Sequence, residues 1–273
     1  MARPSVRAGI SKVLVAIVVA AMVVAAGVTG YFLLTSSGAE PAPPPTADSL
    51  LPATANTSPP TPLYVFLFRT FTSVTMQNTF TGSNFINHTY VSSPPVFTET
   101  ASFRKLGTAN VDGVPTEKVN FSMASNYGRN SSIIGYYSAG GAPQRLVWRN
   151  QTCNVGQIEG HTCLLVVGVA SEPLDWFLGY NTYFSNATAF SQLRYQRTST
   201  ETFGNVTMTV FTYGYHDPTG TLVGSLEPAD VTVSIGRIPR SAYCMVVYVG
   251  GQVTYSANES GFVTDALISA SAA

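Results

Sequence analysis

Charge is what this 273-residue chain has least of. Only 10% of its residues are charged, against about a quarter in an ordinary soluble domain. The 14 basic and 14 acidic residues cancel, and the lysines are Lys12, Lys105 and Lys118 alone. No basic stripe is available to displace counterions from phosphates, so nucleic acid is excluded as a partner. Three histidines (His88, His161 and His216) leave little material for acid–base catalysis. The chain has no Gly-x-Ser-x-Gly elbow, no His-Glu-x-x-His helix and no Gly-x-x-x-x-Gly-Lys phosphate loop. No catalytic constellation, cofactor or metal is expected.

What replaces charge is hydroxyl, amide and aromatic surface, including 14 tyrosines and 15 phenylalanines. Of the asparagines, Asn56, Asn87, Asn120, Asn130, Asn150, Asn186, Asn205 and Asn258 each begin an Asn-x-Ser/Thr triplet. That is well above the roughly three expected by chance at this Ser and Thr content. Glycan attachment needs exposed asparagine on an extracytoplasmic face, so the pattern predicts a glycosylated exterior.

The stretch from Val13 to Leu34 carries no charge. As a helix it would be about 33 Å long, enough to cross a hydrocarbon core of about 30 Å. It exceeds the apolar core of a standard cleavable signal. Arg3, Arg7 and Lys12 precede it, which predicts a cytoplasmic segment 1–12 and export of everything after Leu34. The segment "RAGISKVLVAIVVAAMVV" resembles the N-terminus of archaeal cell-surface proteins with type IV pilin-like (class III) signals. The resemblance implies processing between Gly9 and Ile10, with the helix retained. Residues 35–62 then hold eight prolines in 28 positions, predicting an extended, disordered stalk. A stalk suits a displayed domain better than a filament subunit, in which helix and head are continuous. The filament reading remains the alternative.

Residues 63–273 are expected to form one extracellular β-rich domain. Alternation places Val119, Phe121 and Met123 on one face of a strand, as it does Val206, Met208 and Val210, and Val231, Val233 and Ile235. The apolar runs 63–68 ("LYVFLF") and 244–249 ("CMVVYV") read as central strands covered on both faces. Turns are expected at Asp112-Gly113, Gly140-Gly141, 217–220 and Gly250-Gly251. One short helix is expected within 171–190, capped by Ser171. The fold class is therefore mainly β, an antiparallel sandwich or half-barrel with one short helix, behind a single transmembrane helix. Two segments share a strand–turn–strand rhythm, "VDGVPTEKVNFSM" with "IIGYYSAGGAPQRLVW" and "TFGNVTMTVFTYG" with "VTVSIGRIPRSAYCMVVYV". That rhythm resembles the half-barrel of lipoprotein-carrier proteins and implies a curved sheet holding lipid against helices.

Cys153 and Cys163 are expected to pair across the loop between them, leaving Cys244 as a buried thiol. A metal site from Cys153, His161 and Cys163 fits no standard zinc spacing and lacks a fourth ligand. His216 beside Asp217 suggests part of a triad, but the turn chemistry of Asp217, Pro218 and Gly220 explains them better. Glu172 and Asp175 near aromatics suggest a glycosidase pair, but the preference of Glu172 for a helix N-terminus and a sheet-sealing role for Trp176 and Phe177 explain them better. Trp148, Trp176, Tyr180 and Tyr183 are candidates for a surface that binds carbohydrate, peptide or another surface protein. The expected role is envelope structure, adhesion or ligand capture by a single-pass, membrane-anchored glycoprotein. A lipid-binding half-barrel is the further alternative.

Overall fold

A computed structural model describes residues 43–50, 63–82, 85–86, 89–90, 96–128, 130–149, 151–154, 179–256 and 259–273. The chain divides into two compact units, Met1–Pro44 and Pro45–Ala273, and only the last two residues of the first are described. The expected basic segment 1–12, membrane helix 13–34 and processing point at Gly9 and Ile10 lie outside the described residues. Among the described residues no helix is long and apolar enough to cross a membrane.

The second unit opens with a 3-10 turn, Ala47–Ser49; helix α1 (Leu63–Thr70) follows and runs directly into β1 (Phe71–Thr81). The short strands β2 (Phe85–Ile86) and β3 (Thr89–Tyr90) pair with each other. A meander follows: β4 (Val96–Val111), β5 (Val114–Ser125), β6 (Asn130–Ser138), β7 (Pro143–Trp148) and β8 (Gln151–Asn154). Helix α2 (Ala187–Ser191) precedes a second meander of β9 (Arg194–Phe203), β10 (Val206–Asp217), β11 (Ala229–Arg237), β12 (Cys244–Ser256) and β13 (Glu259–Ala272). All eleven long strands join one antiparallel open sheet in the order β8-β7-β6-β5-β4-β1-β13-β12-β11-β10-β9. The β-rich expectation holds, and the sandwich alternative does not, because the strands form a single sheet. The sheet curls far enough that the β9–β10 turn returns to β13. There the Asn205 backbone N–H donates to Ala270 O at 3.2 Å, and Ala272 N–H donates to Asn205 Oδ1 at 3.3 Å.

Side chains follow the period-two expectation where one face meets the core. Val119, Phe121 and Met123 are buried on β5, and Lys118, Asn120 and Ser122 are not. Within the second meander, β10, β11 and β12 are covered on both faces along part of their length. On β10, Val206, Met208 and Val210 enter one apolar cluster with α1 and the first meander. Phe211, Tyr213 and Tyr215 enter another with β11, β12 and residues 180–189. The four residues 244–247 are all buried, as a continuous apolar run on a doubly covered strand should be.

Three expectations need correction. "LYVFLF" is not a central strand but most of α1. In a strand Leu67 and Phe68 would face opposite ways, each needing its own cover. In a helix they lie about 100° apart and both enter the same core with Phe71. Phe68 packs there edge-on against Phe103 and Tyr137, with centroids at 5.7 and 5.3 Å. Gly250-Gly251 is no turn either, since both lie within β12. The Tyr248 ring lies over Gly250 where a Cβ would be, and Gly251 lets the Asp230 carbonyl approach. Finally, more than one short helix forms, with α1, α2 and a helical stretch at 179–184. Part of the expected stalk is also packed: Leu50 is fully buried and bridges to Cys244 on β12.

Candidate functional site

At the centre of the sheet β1 and β13 are paired in register, and three rungs of that ladder define the site. Met76 lies opposite Leu267, Asn78 opposite Asp265, and Phe80 opposite Val263. All alternate onto the same, inward face. Met76 and Leu267 belong to the first apolar cluster, Val263 and the partly buried Phe80 to the second. The middle rung is thus a polar pair set between two oily ones. Asn78 Nδ2 donates to Asp265 Oδ1 at 2.9 Å.

The helical stretch 179–184 lies over this rung. It is fastened to the sheet by Asn181, whose Oδ1 accepts the Val246 N–H at 2.8 Å. The β11–β12 register slips beside Val246, which is how that amide comes to serve the helix and not the ladder. Tyr180 then reaches down and donates its hydroxyl to Asp265 Oδ2 at 2.5 Å, with Leu222 O a second acceptor at 3.1 Å. Burial pushes the Asp265 carboxyl above its ordinary value, and the bonds from Tyr180 and Asn78 offset part of that rise. Burial, followed by the adjacent Asp265 charge, holds the Tyr180 phenol well above its ordinary value. Tyr183 and Tyr215 share a short hydroxyl–hydroxyl hydrogen bond beside them.

The outer wall is the 3-10 turn Thr221–Val223, bracketed by Gly220 and Gly224 at φ 69° and 71°. Buried Asp217 holds it, Oδ2 accepting the Leu222 N–H at 2.8 Å and Oδ1 accepting from the Thr219 N–H and Oγ1 at 3.0 and 2.8 Å. Sheet floor, helix and turn enclose a pocket of about 560 Å³. Its lining is mainly apolar, including Phe80, Tyr183, Leu222, Tyr255 and Val263, with Asn78 and Tyr180 among its polar members. Among the described residues no lysine, arginine, aspartate or glutamate lines it.

The residues singled out from sequence are distributed unevenly around this pocket. Tyr180 and Tyr183 line it together. Trp148 packs against the other apolar cluster, beneath the Arg149 guanidinium at 4.6 Å. Trp176, Glu172, Asp175, Ser171 and His161 lie outside the described residues. His216 Nδ1 meets Asp230 Oδ1 at 2.9 Å on the exposed surface, while Asp217 holds the turn. Cys153 is buried on β8; Cys163 lies outside the described residues, and Cys244 is a buried free thiol. Among the described residues no group of three or more His, Cys, Asp or Glu is placed to hold a metal.

Of the sequons, Asn130, Asn186 and Asn205 are exposed and Asn120 is half-buried. Asn186 Oδ1 caps α2 by accepting the Thr188 N–H at 2.8 Å. Glycan attaches at Nδ2 and would leave that cap in place. Asn56, Asn87, Asn150 and Asn258 lie outside the described residues. Asn78 and Asp265, the centre of the site, were not among the sequence candidates. Each sits at an inward position of an alternating strand, in Val74-Met76-Asn78-Phe80 and Val263-Asp265-Leu267. A polar residue interrupting an apolar face is the signal that could have found them.

Compared with protein-family models and with curated proteins, the chain matches none. Among solved structures it is similar to the crystal structure of the Mycobacterium tuberculosis lipoprotein LppX. Sequence identity is 13% and the TM-score 0.27, over 76% of this chain and 90% of that one. Likeness at that level assigns no function, and none is drawn from it.

Proposed function

We propose that the protein is a ligand-capturing domain whose pocket takes an apolar or amphiphilic, lipid-like molecule, displayed at a membrane by the N-terminal apolar run. One observation carries the reading: an apolar pocket of about 560 Å³ running between sheet, helix and the 221–223 turn. That volume lies within the ~300–1,000 Å³ usual for small-molecule sites. The described walls carry no charge, which disfavours ions, sugars and acidic peptides, since these would have to be desolvated without compensation. Aromatic and aliphatic surface instead favours a hydrocarbon chain. The 22-residue charge-free run from Val13 to Leu34 and the basic residues before it support the tether.

The test uses the full chain in lipid nanodiscs with a diazirine-bearing fatty alcohol, photolysed and mapped by peptide mass spectrometry. Adducts are expected on peptides spanning 221–224 and 255–263, and Leu222→Trp, which fills the pocket, should remove them. Adducts confined to the 13–34 run in the unmodified chain would defeat the proposal.

A further inference from the structure

The pocket floor offers one hydrogen-bonding group held in a fixed direction by the protein, and its polarity identifies the end of the ligand that reaches it. Asn78 presents Nδ2 to Asp265 Oδ1. Tyr180 already donates to Oδ2, so Oδ1 is the acceptor that faces Asn78, and it calls for the NH2 end of the amide on that side. The planar amide then turns Oδ1 away from Asp265. Among the described residues this oxygen takes no hydrogen bond, and it is not among the buried polar atoms lacking partners. It is therefore open to the pocket that Asn78 lines.

The other side-chain hydroxyls of the lining are mostly committed. Tyr180 donates to Asp265, Tyr183 bonds Tyr215, and Thr221 Oγ1 lies 2.8 Å from Thr219 Oγ1. Tyr255 stands edge-on to Phe80 at 5.5 Å, and its hydroxyl has no partner among the described residues. Among the described residues neither lysine nor arginine lines the pocket to balance a negative head group. A carboxylate or phosphate brought to Asn78 would be desolvated without a cation and would face a carbonyl oxygen.

Building on the pocket reading above, we infer that the ligand is a neutral amphiphile with a hydrogen-bond donor, a hydroxyl or amide N–H, at its inner end. That donor sits on Asn78 Oδ1, while the chain lies against Phe80, Leu222, Tyr255 and Val263. Asn78 is the specificity-determining residue, and Asp265 acts by fixing which way the Asn78 amide faces.

The same photolabelling of the full chain tests this by competition among 1-hexadecanol, hexadecyl methyl ether and palmitate at pH 7. Hexadecanol should suppress pocket labelling at a concentration about tenfold below the other two, the worth of one hydrogen bond in a dry site. In Asn78→Leu the alcohol's advantage over the ether should fall within about twofold, because Oδ1 is gone. The wild-type comparison stands without the variant should Asn78→Leu fold poorly. Equal potency of alcohol and ether, or a preference for palmitate, would overturn the donor assignment and leave the pocket reading intact. No labelling of the pocket peptides by the probe would remove both.

Discussion

Asp217→Ala is the perturbation whose cost the structure sets out most fully. The native carboxylate is 1% exposed and accepts three hydrogen bonds, two of them from backbone N–H groups. Removing it leaves the Thr219 and Leu222 amides without these acceptors. The Thr219 hydroxyl fares better, because Thr221 Oγ1 is already 2.8 Å away. Bonds to a charged group are worth about 1.5–3 kcal/mol each, and the two losses overlap because they release one turn, so about 3 kcal/mol is expected. In a domain of this size that corresponds to a drop of roughly 6–12 °C in Tm. Asp217→Asn should cost about half as much, since one oxygen can still serve Thr219 while an NH2 faces the Leu222 N–H. Urea unfolding followed by tryptophan fluorescence reads both, with midpoints shifting and slopes unchanged. Photolabel should also reach the 221–224 peptide less efficiently in both variants, because the pocket wall hangs from this carboxylate. An Asp217→Ala protein within about 0.5 kcal/mol of wild type would refute the reasoning.

Two further predictions contrast groups within the same cores. Tyr213 is buried, its hydroxyl has no hydrogen-bond partner among the described residues, and burial chiefly pushes its phenol pKa up to about 12. Tyr213→Phe should therefore be neutral or stabilising by about 1 kcal/mol, whereas Tyr180→Phe, which takes a donor from Asp265, should cost about 2 kcal/mol. Equal effects in thermal melts would contradict this. The raised Asp265 value gives a pH dependence of defined sign. The native state holds that proton at pH values where the unfolded chain has released it. The contribution is thus fully present below about pH 3.9 and is lost as pH rises through the native value. Asp265→Asn does not titrate, so wild type should gain stability relative to it on acidification from pH 7 toward 4. A gap between their urea midpoints that does not change with pH would show the carboxyl to be unperturbed.

Strands with one wet face were legible because alternation records burial directly, as at Val119, Phe121 and Met123. The run from Leu63 to Phe68 was not, because a short, continuously apolar segment satisfies a doubly covered strand and a buried helix equally. Arg69, exposed at the end of α1 between buried Phe68 and Phe71, is a local sign of helical spacing. Gly250 and Gly251 misled for a different reason. Their small size serves the Tyr248 ring and the Asp230 carbonyl, contacts made in the folded sheet, and not a reversal of the chain. The site was the least legible part. Asn78 and Asp265 meet across a separation of 187 residues, and only the pairing of β1 with β13 reveals that two isolated polar interruptions face each other.

That pairing also orders the assembly of the domain in time. Phe71 at the start of β1 is matched with Ala272 near the end of β13, so the middle of the sheet is its most non-local contact. The first meander with β1, and the second up to β12, can each form hydrogen bonds from neighbouring chain, but only β13 welds them. Until residues 259–272 are available, β1 and β12 both present open edges, the condition in which strands pair with the wrong chain. Such high contact order makes for slow folding, in the millisecond-to-second range of non-local β-proteins. Because Asp265 lies on β13, the pocket floor is completed only as the weld closes, and on the proposal above a bound ligand would report that the whole sheet has formed.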